Sequence, residues 1–319
     1  MNKITIVGAG RVGEFTAQFL AAKNLCSEIV LLDIHEGAAK GAALDIQEVS
    51  PLFEYDTRLT GGVDHALMVD SELIIITAGL PRKPGMSRSD VLSSNIPIMD
   101  HIIDGAMKYA PGAILLFVTN PVDVITYHAV IKTGWPRNRI FGQAGVLDSS
   151  RMASFIAMET GYSIMDIYAM VLGGHGDTMV PMLRHCTIAG IPIEKFISKE
   201  RIESIVERTR KGGAEILALR QNSSAYDAPA ASVAEMVDAI VHNRNRILPT
   251  VCILEGEYGL DDIAIGVPAV LGKNGVEDII QLDLNDAEKA MFSHSAALVR
   301  EDIDMLKAMS RPVKRNPPR

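Results

Sequence analysis

Close to the start of the chain a short apolar run, Lys3–Val7, passes straight into Gly8-Ala9-Gly10-Arg11-Val12-Gly13, and a helical pattern, Arg11–Lys23, begins inside the glycines. A strand, a GxGxxG turn and a helix in direct succession leave few options. Glycine permits the tight turn, lets backbone approach a pyrophosphate, and lets the helix pack close on its strand. The helix N-terminus then offers unpaired N–H groups and the positive end of its dipole to an anion. Asp33 follows the next apolar run, Glu28–Leu32, at the spacing of about 20 residues where a ribose-binding carboxylate belongs. A carboxylate there accepts both ribose hydroxyls and repels a 2′-phosphate, which favours NAD over NADP. Alone, Asp33 fits an N-cap or a turn equally; its place after strand, glycines and helix selects the dinucleotide site.

The first half continues the alternation. Strand patterns at Thr57–Thr60, Leu73–Thr77 and Ile114–Thr119 are separated by helical ones at Ala38–Val49, Ser93–Tyr109 and Val122–Lys132. Continuous Ile/Val/Leu runs between helices are what a parallel sheet covered on both faces requires. Residues 1–147 therefore read as a Rossmann-type doubly wound α/β domain. From Asp148 the pattern becomes mixed: a helix Asp148–Thr160 stopped by Gly161, a strand Ile167–Leu172, further short strands, and helices at Lys199–Leu219, Ser232–His242 and Leu284–Met309. This reads as an α+β substrate and catalytic domain over residues 148–319. Periodicity leaves open whether Ser232–His242 serves the core or an interface. The tail, Arg311–Arg319, with three prolines and four basic residues, is expected to fray.

Composition narrows the function classes. With 319 residues, 48% hydrophobic and net charge -8, the chain suits neither a nucleic-acid backbone nor an anionic membrane as main partner. No apolar run nears the roughly 18 residues a membrane helix needs, and Ile4–Val7 ends in glycines rather than a signal-cleavage site. Cys26, Cys186 and Cys252 are too scattered for a CxxC pair and read as reduced thiols in a cytoplasmic setting. None of the 8 histidines forms an HxxxH or HExxH pair, so no metal is expected.

Three segments carry candidate chemistry. Pro81-Arg82-Lys83-Pro84-Gly85-Met86-Ser87-Arg88 is cationic and follows Thr77-Ala78-Gly79 at a strand's carboxyl end, where open α/β sheets bind ligands. Guanidinium forks there suit carboxylates, although a solvated basic loop has the same composition. Asp148 and Arg151 stand one helical turn apart, a catalytic pair or an N-cap with an i,i+3 ion pair. Gly173-Gly174-His175-Gly176-Asp177 leaves an imidazole unencumbered after an apolar strand, a catalytic histidine or a turn histidine. Together they fit hydride transfer: a neutral His accepts a hydroxyl proton while the carbon yields hydride to nicotinamide. A buried Asp on the other ring nitrogen fixes the tautomer. One Arg anchors a carboxylate and another polarises a carbonyl.

Nearly the whole chain resembles the lactate/malate dehydrogenase superfamily, specifically its lactate-dehydrogenase-like malate dehydrogenases, through VGAGRVG, LPRKPGMSRSDVLSSN, VTNPVDV, GVLDSSR, VLGGHGDTMVP and APAASVAEMV. The resemblance implies His175 as acid/base, Asp148 as its partner, Arg151 as the clamp on the C1 carboxylate, and Arg88, on a closing loop, as the group polarising the carbonyl. It implies that Asn120, in Val118-Thr119-Asn120-Pro121, touches nicotinamide and substrate beside a cis bond to Pro121, and that Asn95 contacts the cofactor.

Substrate choice turns on Arg82, where lactate dehydrogenases carry an uncharged residue. Oxaloacetate's second carboxylate neutralises it, whereas pyruvate leaves it buried and unpaired, a discrimination of roughly 10³-fold or more. Malate and oxaloacetate are thus the expected substrates. Tyr226-Asp227 departs from the two aromatic residues usual in the family and places an acid near the substrate pocket. Relatives form homodimers or homotetramers, and a homo-oligomer is expected. Two other readings remain: a dehydrogenase of monocarboxylic 2-hydroxy acids with Arg82 on the surface, and a non-catalytic NAD sensor, which has no need of His175, Asp148, Arg88 and Arg151 together.

Overall fold

The computed structural model describes residues 1–81, 86 and 88–309. The Arg311–Arg319 tail lies outside them. The first half runs β1 (Lys3–Val7), α1 (Arg11–Ala22), β2 (Glu28–Leu32), α2 (Glu36–Phe53), β3 (Arg58–Gly62), β4 (Leu73–Ile76), α3 (Arg88–Tyr109), β5 (Ile114–Phe117), α4 (Val122–Thr133) and β6 (Ile140–Gln143). There follow α5 (Gly145–Thr160) and the two-residue strands β7 (Ile167–Tyr168), β8 (Val171–Leu172), β9 (Val180–Pro181), β10 (Thr187–Ile188) and β11 (Ile191–Pro192). Then come α6 (Lys199–Arg220), α7 (Asp227–Val241), β12 (Arg246–Glu255), β13 (Asp261–Gly272), β14 (Gly275–Ile279) and α8 (Asp286–Met309).

Among the described residues one sheet holds nine strands, in the order β14-β13-β12-β6-β5-β4-β1-β2-β3. Strands β1 to β6 pair in parallel, and their order reverses between β1 and β4, the switch point of a doubly wound fold. Adjacent residues of β4 divide between two cores. Ile74 and Ile76 pack with α3, α4 and α8 on one face, while Leu73 and Ile75 pack with α1, α2 and α7 on the other. That explains the unbroken apolar run: both faces are dry, and each such side chain contributes about 1.5–3 kcal/mol by its burial.

The second half mixes helices with short strands, as its sequence pattern indicates, and also adds to the first sheet. Its strands β12, β13 and β14 extend the same sheet, antiparallel, through Thr250↔Gln143 and Val251↔Gly142. The length of β12 and β13 is masked in the sequence by Pro249 and Pro268, which face each other across that ladder. Helix α5 begins a turn before Asp148, at Gly145, where a side chain would meet the Val171 carbonyl oxygen at 2.8 Å, and ends at Gly161 with φ +71°. Helix α7 is core: Val233, Met236, Val237 and Ile240 are buried under the sheet beside α1.

Candidate active site

The carboxyl ends of β1 and β4 build the nucleotide end of the site. Gly8 turns there with φ +105°, and a Cβ on it would lie 2.6 Å from the Ala78 nitrogen. A Cβ on Gly13 would lie 1.8 Å from the Gly8 carbonyl oxygen, so only glycine lets α1 start against β1. Gly10 is the N-cap of α1, has no side-chain cap, and would carry its Cβ into open space. The three glycines thus have separate tasks: turn, close packing, and room over a helix N-terminus. The residues fit a dinucleotide pyrophosphate. Asp33, just past β2, accepts the Ala9 N–H through Oδ2 and the His35 N–H through Oδ1, each at 2.9 Å, and so ties the glycine turn to the next strand. Val12 accepts the Thr16 hydroxyl at its carbonyl, inside α1. Arg11 turns its guanidinium to Tyr226, with Nη1 donating to the phenol oxygen at 3.2 Å.

The other end of the site follows β4 and β5. The Thr119 hydroxyl donates to the Ala78 carbonyl at 2.6 Å, Val118 is half-buried, and Asn120 is exposed and joined to Pro121 by a cis bond. Asn95, the expected cofactor contact, is held by backbone groups of two loops. It is fully buried, accepts the Leu80 N–H at 2.8 Å, and donates to the Asn120 carbonyl at 3.0 Å. Both ends of its amide are engaged by backbone, so it positions the loops on which Leu80 and Asn120 sit.

The chemistry centres on Asp148, in the first turn of α5 and 2% exposed. Its Oδ2 lies 2.9 Å from His175 Nδ1, and its Oδ1 accepts from Arg151 Nη1 at 3.1 Å. The i,i+3 spacing read from sequence thus joins two functions: one carboxylate orients an imidazole and a guanidinium together. The i,i+3 ion pair read as the alternative is present as well, so Asp148 bonds to both neighbours at once. Burial opposes the imidazolium, but the Asp148 charge and hydrogen bond, with Asp123, outweigh it and lift His175 above the ordinary histidine range, against the pull of Arg151. Its Nε2 edge is left for a substrate hydroxyl.

Sequence reasoning missed Asp123. In the first turn of α4 it resembles a surface acid complementing a helix dipole, yet it is 6% exposed and its Oδ2 accepts the His175 backbone N–H at 3.0 Å. Only its place in Asn120-Pro121-Val122-Asp123, two residues past a candidate site turn, could have flagged it. Asp227, the departure from family pattern, accepts from Arg220 Nη2 at 2.8 Å, and Tyr226 lies against the Arg220 guanidinium, 4.0 Å from its ring centroid. The acid is therefore matched by a cation. Arg82 lies outside the described residues. Arg88 opens α3, and its side chain likewise lies outside the description.

Two family models match. One, described as lactate/malate dehydrogenase, NAD binding domain, covers residues 2–142; the other, lactate/malate dehydrogenase, alpha/beta C-terminal domain, covers residues 145–310. The malate dehydrogenase of Thioalkalivibrio sulfidiphilus is 66% identical over 307 residues, covering 96% of this chain and 100% of its own. The solved malate dehydrogenase of Salinibacter ruber is 44% identical with a TM-score of 0.92, over 96% of this chain and 98% of that one. A lactate dehydrogenase of Cryptosporidium parvum, solved with lactic acid and the nicotinamide dinucleotide, is 37% identical with a TM-score of 0.93, over 98% of this chain and 99% of that one.

Proposed function

The chain belongs to the lactate/malate dehydrogenase family, and from that premise we propose that it interconverts (S)-malate and oxaloacetate with His175 carrying the proton. It is an NAD-dependent oxidoreductase of the malate dehydrogenase kind. The carrying observation is the buried Arg151–Asp148–His175 chain. In malate oxidation, neutral His175 accepts the C2 hydroxyl proton, and Asp148 supports the imidazolium while fixing the ring. Arg151 clamps the C1 carboxylate, so that the hydroxyl is presented to the imidazole. Arg88 polarises the carbonyl in the reverse direction, and Arg82 neutralises the second carboxylate. NAD, when bound, supplies the hydride acceptor.

Gly8, Ala9, Gly10, Arg11, Val12 and Gly13 receive the pyrophosphate, Asp33 the ribose, and Val118, Thr119 and Asn120 the nicotinamide side. The reading assigns residues 1–147 to NAD and 148–319 to substrate and assembly, supported by family matches that meet between residues 142 and 145. A homodimer or homotetramer is favoured by α2, which buries Ala39, Ala43 and Ile46 but leaves Leu44, Leu52 and Phe53 exposed. The three cysteines are free and buried, which suits a reducing cytoplasm. Among the described residues no helix is long and apolar enough to cross a membrane.

Replacing His175 tests the proton role. His175→Asn should leave NADH affinity within about twofold while kcat falls roughly 10³-fold or more. Turnover close to the parent's would show that another group moves the proton.

A further inference from the structure

Behind the imidazole lies a second buried carboxylate. Asp123 Oδ2 accepts the His175 backbone N–H at 3.0 Å, and Oδ1 is buried with no hydrogen-bond partner among the described residues. An ionised carboxylate so placed is costly unless a positive charge answers it, and a neutral acceptor would hold the same N–H equally well. The charges around it point to that answer. Helix α5 brings Asp148 and Arg151, whose charges offset each other across a 3.1 Å contact. Helix α8 brings Val299 and the Ser295 hydroxyl, which accepts the Gly174 N–H at 2.9 Å, and β13 brings Gly266 against Gly173. When His175 takes up a proton, the Asp148 carboxylate is thus already shared with a guanidinium, Asp177 on the same turn is exposed to solvent, and Asp123 is the remaining buried anion.

On the reading of His175 as the proton carrier, we propose that Asp123 is a positioning residue that holds the His175 turn by its backbone and, as an anion, stabilises the imidazolium. Both functions follow from one contact. The carboxylate sits on the rigid first turn of α4, directly after the Asn120–Pro121 bond, so it couples the His175 turn to the segment expected to meet nicotinamide and substrate. Burial raises Asp123 most, the His175 N–H and charge draw it down, Asp148 pushes it up again, and the balance leaves it at about 6. Asp123 and His175 therefore titrate as a linked pair.

Two variants separate anchoring from charge. Asp123→Asn keeps an acceptor for the His175 N–H and removes the anion; Asp123→Ala removes both. The readout is kcat/KM for malate against pH, with NADH binding as the check on folding. Malate oxidation needs neutral His175, so activity rises with pH through the His175 titration. Removing an anion lowers that titration, and the Asn variant's acid limb should move to lower pH by about one unit. The Ala variant should lose roughly tenfold or more in kcat at the plateau. An Asn profile that overlays the parent's, with NADH binding intact, overturns the proposal; if the Ala variant does not fold, the Asn profile alone decides. His175→Asn run alongside separates the two levels. If it keeps parental turnover, the reading of His175 fails. If it is inactive while Asp123→Asn is unmoved, only the role of Asp123 fails.

Discussion

Asp33 serves two sides of the nucleotide pocket. Its oxygens hold the Ala9 and His35 N–H groups, so the carboxylate shapes the glycine turn in addition to the ribose contact proposed for it. Asp33→Ser should reduce the preference for NAD over NADP at least about tenfold, because a hydroxyl neither pairs with both ribose oxygens nor repels a 2′-phosphate. Competition of NAD and NADP in steady-state turnover measures it, and an unchanged ratio would remove Asp33 from ribose recognition. At this scale the sequence singled out residues whose neighbours announce them, and the structure joins three of them: His175 among glycines and Arg151 one turn from Asp148, with Asp33 standing apart at a strand end. It gave no sign of Asp123, nor of the backbone contacts that bury Asn95. Both are polar residues on helices, and what defines them is burial against segments 52 and 25 positions away, which no local pattern encodes.

The elements that carry the site were the most legible ones. Strands β1 and β2 and the start of α1 coincide with their sequence patterns because continuous apolar runs and glycines are local signals. Helix ends were looser: α2 extends to Phe53, past Pro51, and α7 starts at Asp227 rather than Ser232. The strand–turn–helix junction yields a prediction at its tightest point. In Gly13→Ala the new methyl would fall 1.8 Å from the Gly8 carbonyl oxygen, a backbone atom that moves only if α1 separates from β1. Overpacking of this kind costs about 1–3 kcal/mol. The Tm should fall by about 2–5 °C and NADH binding should weaken about tenfold or more. Parental Tm and NADH affinity in this variant would mean that the close approach is not required.

Across the whole molecule, one sheet runs from the first half into the second, and Asp148, on α5, follows directly on β6, the strand paired with β5. The continuity was not legible, since β12 and β13 each carry a facing proline that breaks their strand pattern. For an acidic chain, with net charge -8, the proposed reading places three cations, Arg82, Arg88 and Arg151, against a dianionic substrate. The central claim is therefore about substrate. Initial rates of NADH oxidation by the purified protein should be compared with oxaloacetate, pyruvate and 2-oxoisocaproate at equal concentrations. The account predicts a preference for oxaloacetate over pyruvate of roughly 10³-fold in kcat/KM. A preference for pyruvate would contradict it, as would tight NADH binding with no oxidation on any of the three.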